Sequence, residues 1–302
     1  MSIKRIVLYS QNTIRGSVHL PLINRKEKLG VKMDKKVIFS KGINSFTLHI
    51  LAMTFMVADH LWNIFFPNQI WLNVLGRLAF PIFAFMLTEG FFRTKNRKKY
   101  LTRIFIFAAI SEIPFNLFAS LALRGEIMVF YPYNNVLWTF GIALCGMNLL
   151  EKVEKSENLN KIIKFFAKAV ISIITAIIAH FARSDYLGYG IAIILIFYFF
   201  RGKDYKNIIF QAVLMVFLNV FIMPGLEFPF NFFGNEIFIK TQIFTIFSLP
   251  IIWLYNGKQG IHNKFTKYMF YFFYPLHLLT IVAIYVSFMI YLISLIGKNY
   301  GN

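Results

Sequence analysis

The chain of 302 residues contains one cysteine, 13 acidic residues and only 15% charged residues. The single cysteine excludes a disulfide-stapled scaffold and any cysteine-rich metal or iron–sulfur site. Six histidines are scattered along the chain. They lack the H-E-x-x-H spacing of a zinc hydrolase, so no metal is expected. No Walker A loop supports ATP-driven transport, and no G-x-S-x-G elbow supports a serine hydrolase. Low-complexity tracts and repeats of fixed period are also missing. So is a visible inverted repeat, which weakens a secondary transporter.

Apolar residues are plentiful. They make up 58% of the chain, aromatics alone 19%, and Phe occurs 37 times; the mean hydropathy is +0.60. A soluble domain carries about 25% charged residues, and a water-soluble fold could not hide this much apolar surface. The expected fold class is all-α: a polytopic transmembrane helical bundle embedded in the lipid bilayer. The net charge of +19 would suit a nucleic-acid binder. The basic residues instead fall in short clusters between apolar runs, the pattern of membrane-protein loops, so no nucleic-acid partner is expected.

A helix needs about 20 apolar residues to cross the hydrocarbon core. Nine candidate segments lie near 44–66, 70–92, 101–123, 133–150, 163–182, 186–201, 206–224, 237–256 and 266–296. The sixth is short and the ninth is long, so the expectation is about nine to ten spans in one domain over 43–302. With the N-terminus inside, 27 of the 32 Lys and Arg residues fall on the cytoplasmic side. Arg124, Arg183, Lys240 and Lys298 fall outside, and Arg77 lies within a span. The positive-inside rule therefore orients the chain N-terminus in and C-terminus out. The Lys-, Ile- and Phe-rich usage suggests a low-GC bacterium and hence the cell membrane. Residues 1–42 read as a basic cytoplasmic tail or as an over-extended gene start, with Met33 a natural alternative start.

Ionisable residues inside spans are costly and mark functional candidates, with helix–helix pairing as the structural alternative. The first segment carries Asp59 and His60, and His49, Met53, Met56 and His60 share one helical face. Arg77 lies at a similar depth and is the simplest ion-pair partner for Asp59. Pro81 frees a backbone carbonyl beside it. Glu112 and Asn116 share a face of the third segment, Asn134 and Asn135 open the fourth, and Tyr274-Pro275-Leu276-His277 lies in the ninth. Adjacent Asp and His can form an acid/base element. Were His60 to act as a base, Asp59 or Glu112 would be its orienting group, Arg77 and Asn135 hydrogen-bond donors, and His277 a second candidate base.

Several runs, in order, resemble the TraX family, named for the conjugation protein that acetylates the N-terminus of pilin. They are Leu51–His60 (LAMTFMVADH), Gly76–Gly90 (GRLAFPIFAFMLTEG), Lys99–Phe115 (KYLTRIFIFAAISEIPF), Asn135–Gly141 (NVLWTFG), Ser184–Gly190 (SDYLGYG) and Lys267–His277 (KYMFYFFYPLH). The resemblance implies an integral-membrane acetyltransferase. Acetyl-coenzyme A would be supplied from the cytoplasm, and an intramembrane His, here His60, would serve transfer to an extracytoplasmic acceptor. That acceptor would be a protein N-terminus, a glycan or a lipid. Lys98, Lys99 and Arg103 are the candidate contacts to coenzyme A phosphates. Two other classes stand beside this reading: a proton-coupled transporter or flippase, and a non-catalytic membrane assembly factor.

Overall fold

A computed structural model describes residues 42–300 of the chain. The expected tail of residues 1–42 lies, but for its last residue, outside the described residues. The fold is helical. In chain order it comprises α1 (Ser45–Ile64), α2 (Ile70–Gly76), α3 (Ala79–Arg93), α4 (Arg97–Arg124), α5 (Val136–Lys155), α6 (Lys161–Phe181), α7 (Leu187–Phe199) and α8 (Tyr205–Phe217). A π-helical turn (Leu218–Ile222) extends α8. A hairpin of β1 (Glu227–Phe232) and β2 (Asn235–Lys240) follows, then a 3₁₀ stretch (Thr241–Phe247), α9 (Ser248–Trp253) and α10 (Lys264–Tyr300).

Local chemistry sets most of the boundaries. The side chains of Asn44, Asn96, Asn135, Asn160 and Asp204 each accept a backbone N–H at a helix start, which satisfies a donor the helix cannot. Gly125, at φ 69°, closes α4 in the left-handed conformation that costs glycine least. The break between α2 and α3 falls at Arg77-Leu78. Its cause is Pro81, whose ring displaces the carbonyl four residues back, that of Arg77.

Among the described residues, six helical runs are long and apolar enough to cross a membrane: Ile70–Arg93, Arg97–Arg124, Val136–Lys155, Lys161–Phe181, Tyr205–Ile222 and Lys264–Lys298. The protein is thus a multi-pass membrane protein, and the expected nine to ten spans are corrected to six. The other three segments fail for physical reasons. Helix α1 carries Asp59, two histidines and Asn63 in 20 residues. Helix α7 has 13 residues, about 20 Å of helix, against a hydrocarbon core of about 30 Å. The segment at 237–256 begins inside β2 and continues through a 3₁₀ stretch.

The short α7 is nevertheless deeply buried. Ile191, Ile193, Ile194 and Phe197 are sealed on all sides, as expected of a helix apolar all round. Helix α6 by contrast turns Phe165, Phe166, Ile173 and Ile177 outward, as a lipid-facing helix does. At one end of the bundle Glu89 accepts from Arg93 Nε (2.9 Å) and Arg201 Nε (2.6 Å), Arg97 pairs with Glu151, and Lys168 with Glu154. At the other end the 134–135 and 183–185 loops cross-bond, with Asp185 N donating to Asn134 O at 2.8 Å.

Candidate functional site

Two cavities lie inside the bundle. A polar one of about 710 Å³ is lined by Asp59, His60, Asn63, Arg77, Asp185 and Tyr186, with Phe80, Phe115 and Phe118 among its apolar walls. A basic one of about 500 Å³ is lined by His49, Arg93, Lys95, Arg103, His262 and Lys267, with Met53, Leu87, Ile104 and Phe270 between them. Met56, Phe83, Val136, Phe140 and Tyr274 line both. They form the wall that the two cavities share. The one-face stripe of α1 runs along it, with His49 and Met53 on the basic side, Met56 in the wall and His60 on the polar side.

In the polar cavity Asp59 pairs with Arg77 and accepts a second bond from Asn73 Nδ2 at 3.0 Å. Both ionised side chains are largely buried. Gly76 packs against Asp59 so closely that a Cβ there would overlap it; the glycine is what lets α2 approach α1. His60 Nδ1 lies 2.8 Å from His277 Nε2. The two rings are parallel within 5° with centroids 5.0 Å apart. That separation with a 2.8 Å N···N distance sets the rings edge to edge in one plane, lone pair to N–H. His277 Nδ1 lies 2.8 Å from the Phe273 carbonyl.

The loop after α6 adds a carboxyl group that lines the cavity. Asp185 Oδ1 accepts the Tyr186 N–H at 2.9 Å. Burial pushes this carboxyl up to about 6, against the pull of that N–H and of Arg77, and Asp59 adds to the rise. Thr139 holds the Asp185 backbone carbonyl.

The structure brings some sequence-predicted residues together and separates others. Asp59, His60 and Arg77 share the polar cavity, and His277 reaches it through His60. Glu112 and Asn135 form a separate cluster. Glu112 Oε2 accepts from Trp138 Nε1 (2.9 Å) and from Asn135 Nδ2, which also donates to Ala108 O at 2.8 Å. Both amide protons of Asn135 are therefore engaged, and the pair ties α4 to the start of α5. Of the predicted cofactor contacts, Arg103 is on the basic wall, whereas Lys98 and Lys99 are exposed and away from it. Arg103 Nε is buried with no hydrogen-bond partner among the described residues. Its neighbour on the wall is Tyr271, to which it hydrogen-bonds. Arg93, Lys95 and Lys267 were not singled out by sequence. They belong to clusters that read as loop charge, and only packing shows which members turn inward. Among the described residues no group of three or more His, Cys, Asp or Glu side chains is placed to hold a metal ion.

Comparison with known proteins bears on this arrangement. A curated relative, "Probable fimbrial assembly protein FimC, serogroup H1" of Dichelobacter nodosus, is 33% identical over 125 residues, which is 38% of this chain and 48% of the relative. The chain thus matches about half the length of that relative. No solved structure matches the chain. The family model described as TraX protein matches residues 45–285. That match takes in α1 with its His60, the Arg77 break, both cavities and the His277 segment of α10, and by it the chain belongs to the TraX family.

Proposed function

We propose that this protein is an integral-membrane acyltransferase that moves an acetyl group from acetyl-coenzyme A to a hydroxyl or amine acceptor across the membrane. The observation that carries the reading is the pair of cavities meeting at one wall, with His60 on the polar side of it. A transfer between two compartments needs two entrances and one meeting point. By the positive-inside rule, the Arg93, Lys95 and Lys267 on its wall put the mouth of the basic cavity at the cytoplasmic face.

The basic wall suits a phosphate-bearing ligand with an apolar arm. Arg103 presents an unsatisfied buried Nε, and Lys95 and Lys267 add positive charge around it, while Arg93 is paired with Glu89 on the same wall. Met53, Leu87 and Ile104 give the apolar path toward the shared wall. When bound, acetyl-coenzyme A supplies a thioester carbonyl as the electrophile. His60 takes the proton of the acceptor O–H or N–H as that atom attacks the carbonyl, a general-base role that contributes about 10²- to 10⁴-fold. The carbonyl carbon–sulfur bond breaks as the new carbon–oxygen or carbon–nitrogen bond forms. His60 then gives its proton to the departing thiolate. Arg77, held by Asp59, supplies fixed positive charge toward the oxygen that becomes negative.

The FimC relative, described as a fimbrial assembly protein, supports screening surface-filament subunits alongside glycans and lipids as acceptors. Its description also favours a second reading, a non-catalytic assembly factor. Purified protein with radiolabelled acetyl-coenzyme A separates the two. The acyltransferase releases free coenzyme A, with label on an acceptor or on the chain, and His60→Ala folds normally but loses that release. Equal turnover by parent and His60→Ala removes the role assigned to His60. Failure of well-folded parent protein to bind acetyl-coenzyme A sinks the reading itself.

A further inference from the structure

We infer that His277 is a positioning residue: it fixes His60 in the tautomer whose Nε2 lone pair faces the polar cavity. The inference deepens the proposed function and rests on it only for its catalytic consequence, because the tautomer itself is a property of the resting protein.

The argument follows the hydrogen bonds outward from the helix backbone. The Phe273 carbonyl, 2.8 Å from His277 Nδ1, has lone pairs and no proton. His277 Nδ1 must therefore carry the hydrogen. The Tyr274 carbonyl also faces this ring and asks for the same proton. A neutral imidazole has one N–H, so His277 Nε2 is a bare acceptor. It lies 2.8 Å from His60 Nδ1, which must then be the donor. The coplanar edge-to-edge rings are the geometry this N–H···N bond requires. With its one proton on Nδ1, neutral His60 is left with an unprotonated Nε2. No described group bonds to that nitrogen, and His60, not His277, lines the cavity.

The consequence is a base with fixed direction. Free imidazole favours the opposite tautomer, with the proton on Nε2, which would present an N–H to an incoming acceptor and could not remove its proton. In the arrangement seen here the acceptor proton moves to His60 Nε2. The charge this creates is shared through the Nδ1–H bond with His277, and the proton leaves again from Nε2 to the thiolate. His277 gains and loses nothing over the cycle. This is the division of labour between a base and its orienting partner, with an imidazole and a backbone carbonyl in place of a carboxylate.

A bland alternative is that the pair only joins α1 to α10. The two readings part on ¹⁵N-histidine magnetic resonance of the full chain in lipid at neutral pH. The expected spectrum shows His60 with a protonated Nδ1 and an unprotonated Nε2. A parent spectrum with His60 protonated on Nε2 overturns the inference. His277→Gln keeps a carbonyl oxygen within reach of His60 Nδ1 and should preserve the tautomer. His277→Ala should lose it and lower kcat about 10²-fold, with KM for acetyl-coenzyme A nearly unchanged. Retention of both the tautomer and kcat in a folded His277→Ala also overturns the inference. If that variant does not fold, the parent spectrum and the His277→Gln kinetics decide. A parent chain with the expected tautomer but no acetyl-coenzyme A turnover refutes the acyltransferase reading and leaves the positioning geometry standing.

Discussion

The two cavities meet at the same five residues yet handle charge in opposite ways. In the polar cavity Arg77 is matched by Asp59 and braced by Asn73, so its positive charge is compensated before any ligand arrives. In the basic cavity Arg103 has a buried Nε with no partner, and Lys95 and Lys267 stand on the wall beside it. A compensated site can receive a neutral acceptor and keep its base unprotonated. A site with surplus positive charge is built for an anion. The difference assigns donor and acceptor to opposite sides of one wall, and it can be broken from either side.

The largest effect is expected from unbalancing the polar cavity. Asp59→Ala leaves Arg77 charged and largely buried, and Arg77→Ala does the same to Asp59. Losing one partner of a buried pair costs about 3–5 kcal/mol. The measurement is thermal unfolding in detergent, with Glu154→Gln as the reference at the other end of the bundle. Glu154 is exposed and pairs with Lys168, and such surface pairs contribute about 0–1 kcal/mol. A double variant, Asp59→Asn with Arg77→Met, should recover much of the loss. Equal destabilisation at Asp59 and Glu154 would erase the contrast between compensated interior charge and peripheral charge.

A second effect sharpens the same contrast through pH. Asp185 has its carboxyl raised to about 6 by burial, above the ordinary carboxylate value. The folded chain therefore holds this proton more tightly than the unfolded chain. Its contribution to stability is fully present below the unfolded value near pH 4 and is lost as pH rises through about 6. Melting of the parent should fall between pH 5 and 7 relative to Asp185→Asn, which keeps an acceptor for the Tyr186 N–H and cannot ionise. Parallel curves for the two proteins would show that Asp185 is held charged in the fold, and the polar cavity would then carry a net negative charge.

How much of this was legible in the sequence depends on the range of the interaction. The first and fourth segments were placed within about three residues of helix starts that Asn44 and Asn135 cap locally, whereas the helix capped by Asn96 starts at Arg97, ahead of the expected start near 101. The Asp59–Arg77 pair was readable because two adjacent segments put the residues at one depth. The span count was not, because an apolar run reports burial and not length. Helix α7 is apolar all round since it sits inside the bundle, and its 13 residues are fewer than a full span needs, although the segment runs from the Ser184 end of the bundle to the Arg201 end. The hairpin at Glu227–Lys240 was missed because its first strand fell in the gap between two expected spans, while Ile237, Phe238 and Ile239 of its second read as the start of a span. The His60–His277 contact joins residues 217 apart, and periodicity says which face a residue takes but not which helix meets it. Glu112 was read as needing a partner or a proton and Asn135 as a donor, and the structure pairs the two with each other, a contact between helices that periodicity does not give.

The smallest expected effect tests the basic side. Tyr100, Arg103 and Ile104 form the i, i+3, i+4 stripe of α4 that faces the cavity, while Lys98 and Lys99 lie before it and stay exposed. If the surplus charge binds the phosphates of the acyl donor, position on the wall matters and net charge does not. Arg103→Gln should then raise the KM for acetyl-coenzyme A about tenfold, the scale of one hydrogen bond to a charged group, with kcat little changed. Lys98→Gln and Lys99→Gln remove the same charge within the same cluster and should change KM by less than about twofold, since exposed charges are screened within about 10 Å at ordinary salt. The parent KM should rise with ionic strength more steeply than that of Arg103→Gln. Equal effects at all three positions would mean that the cluster acts only as a diffuse field. The basic residues would then be explained by membrane topology alone, and the donor would have to be sought elsewhere on the chain.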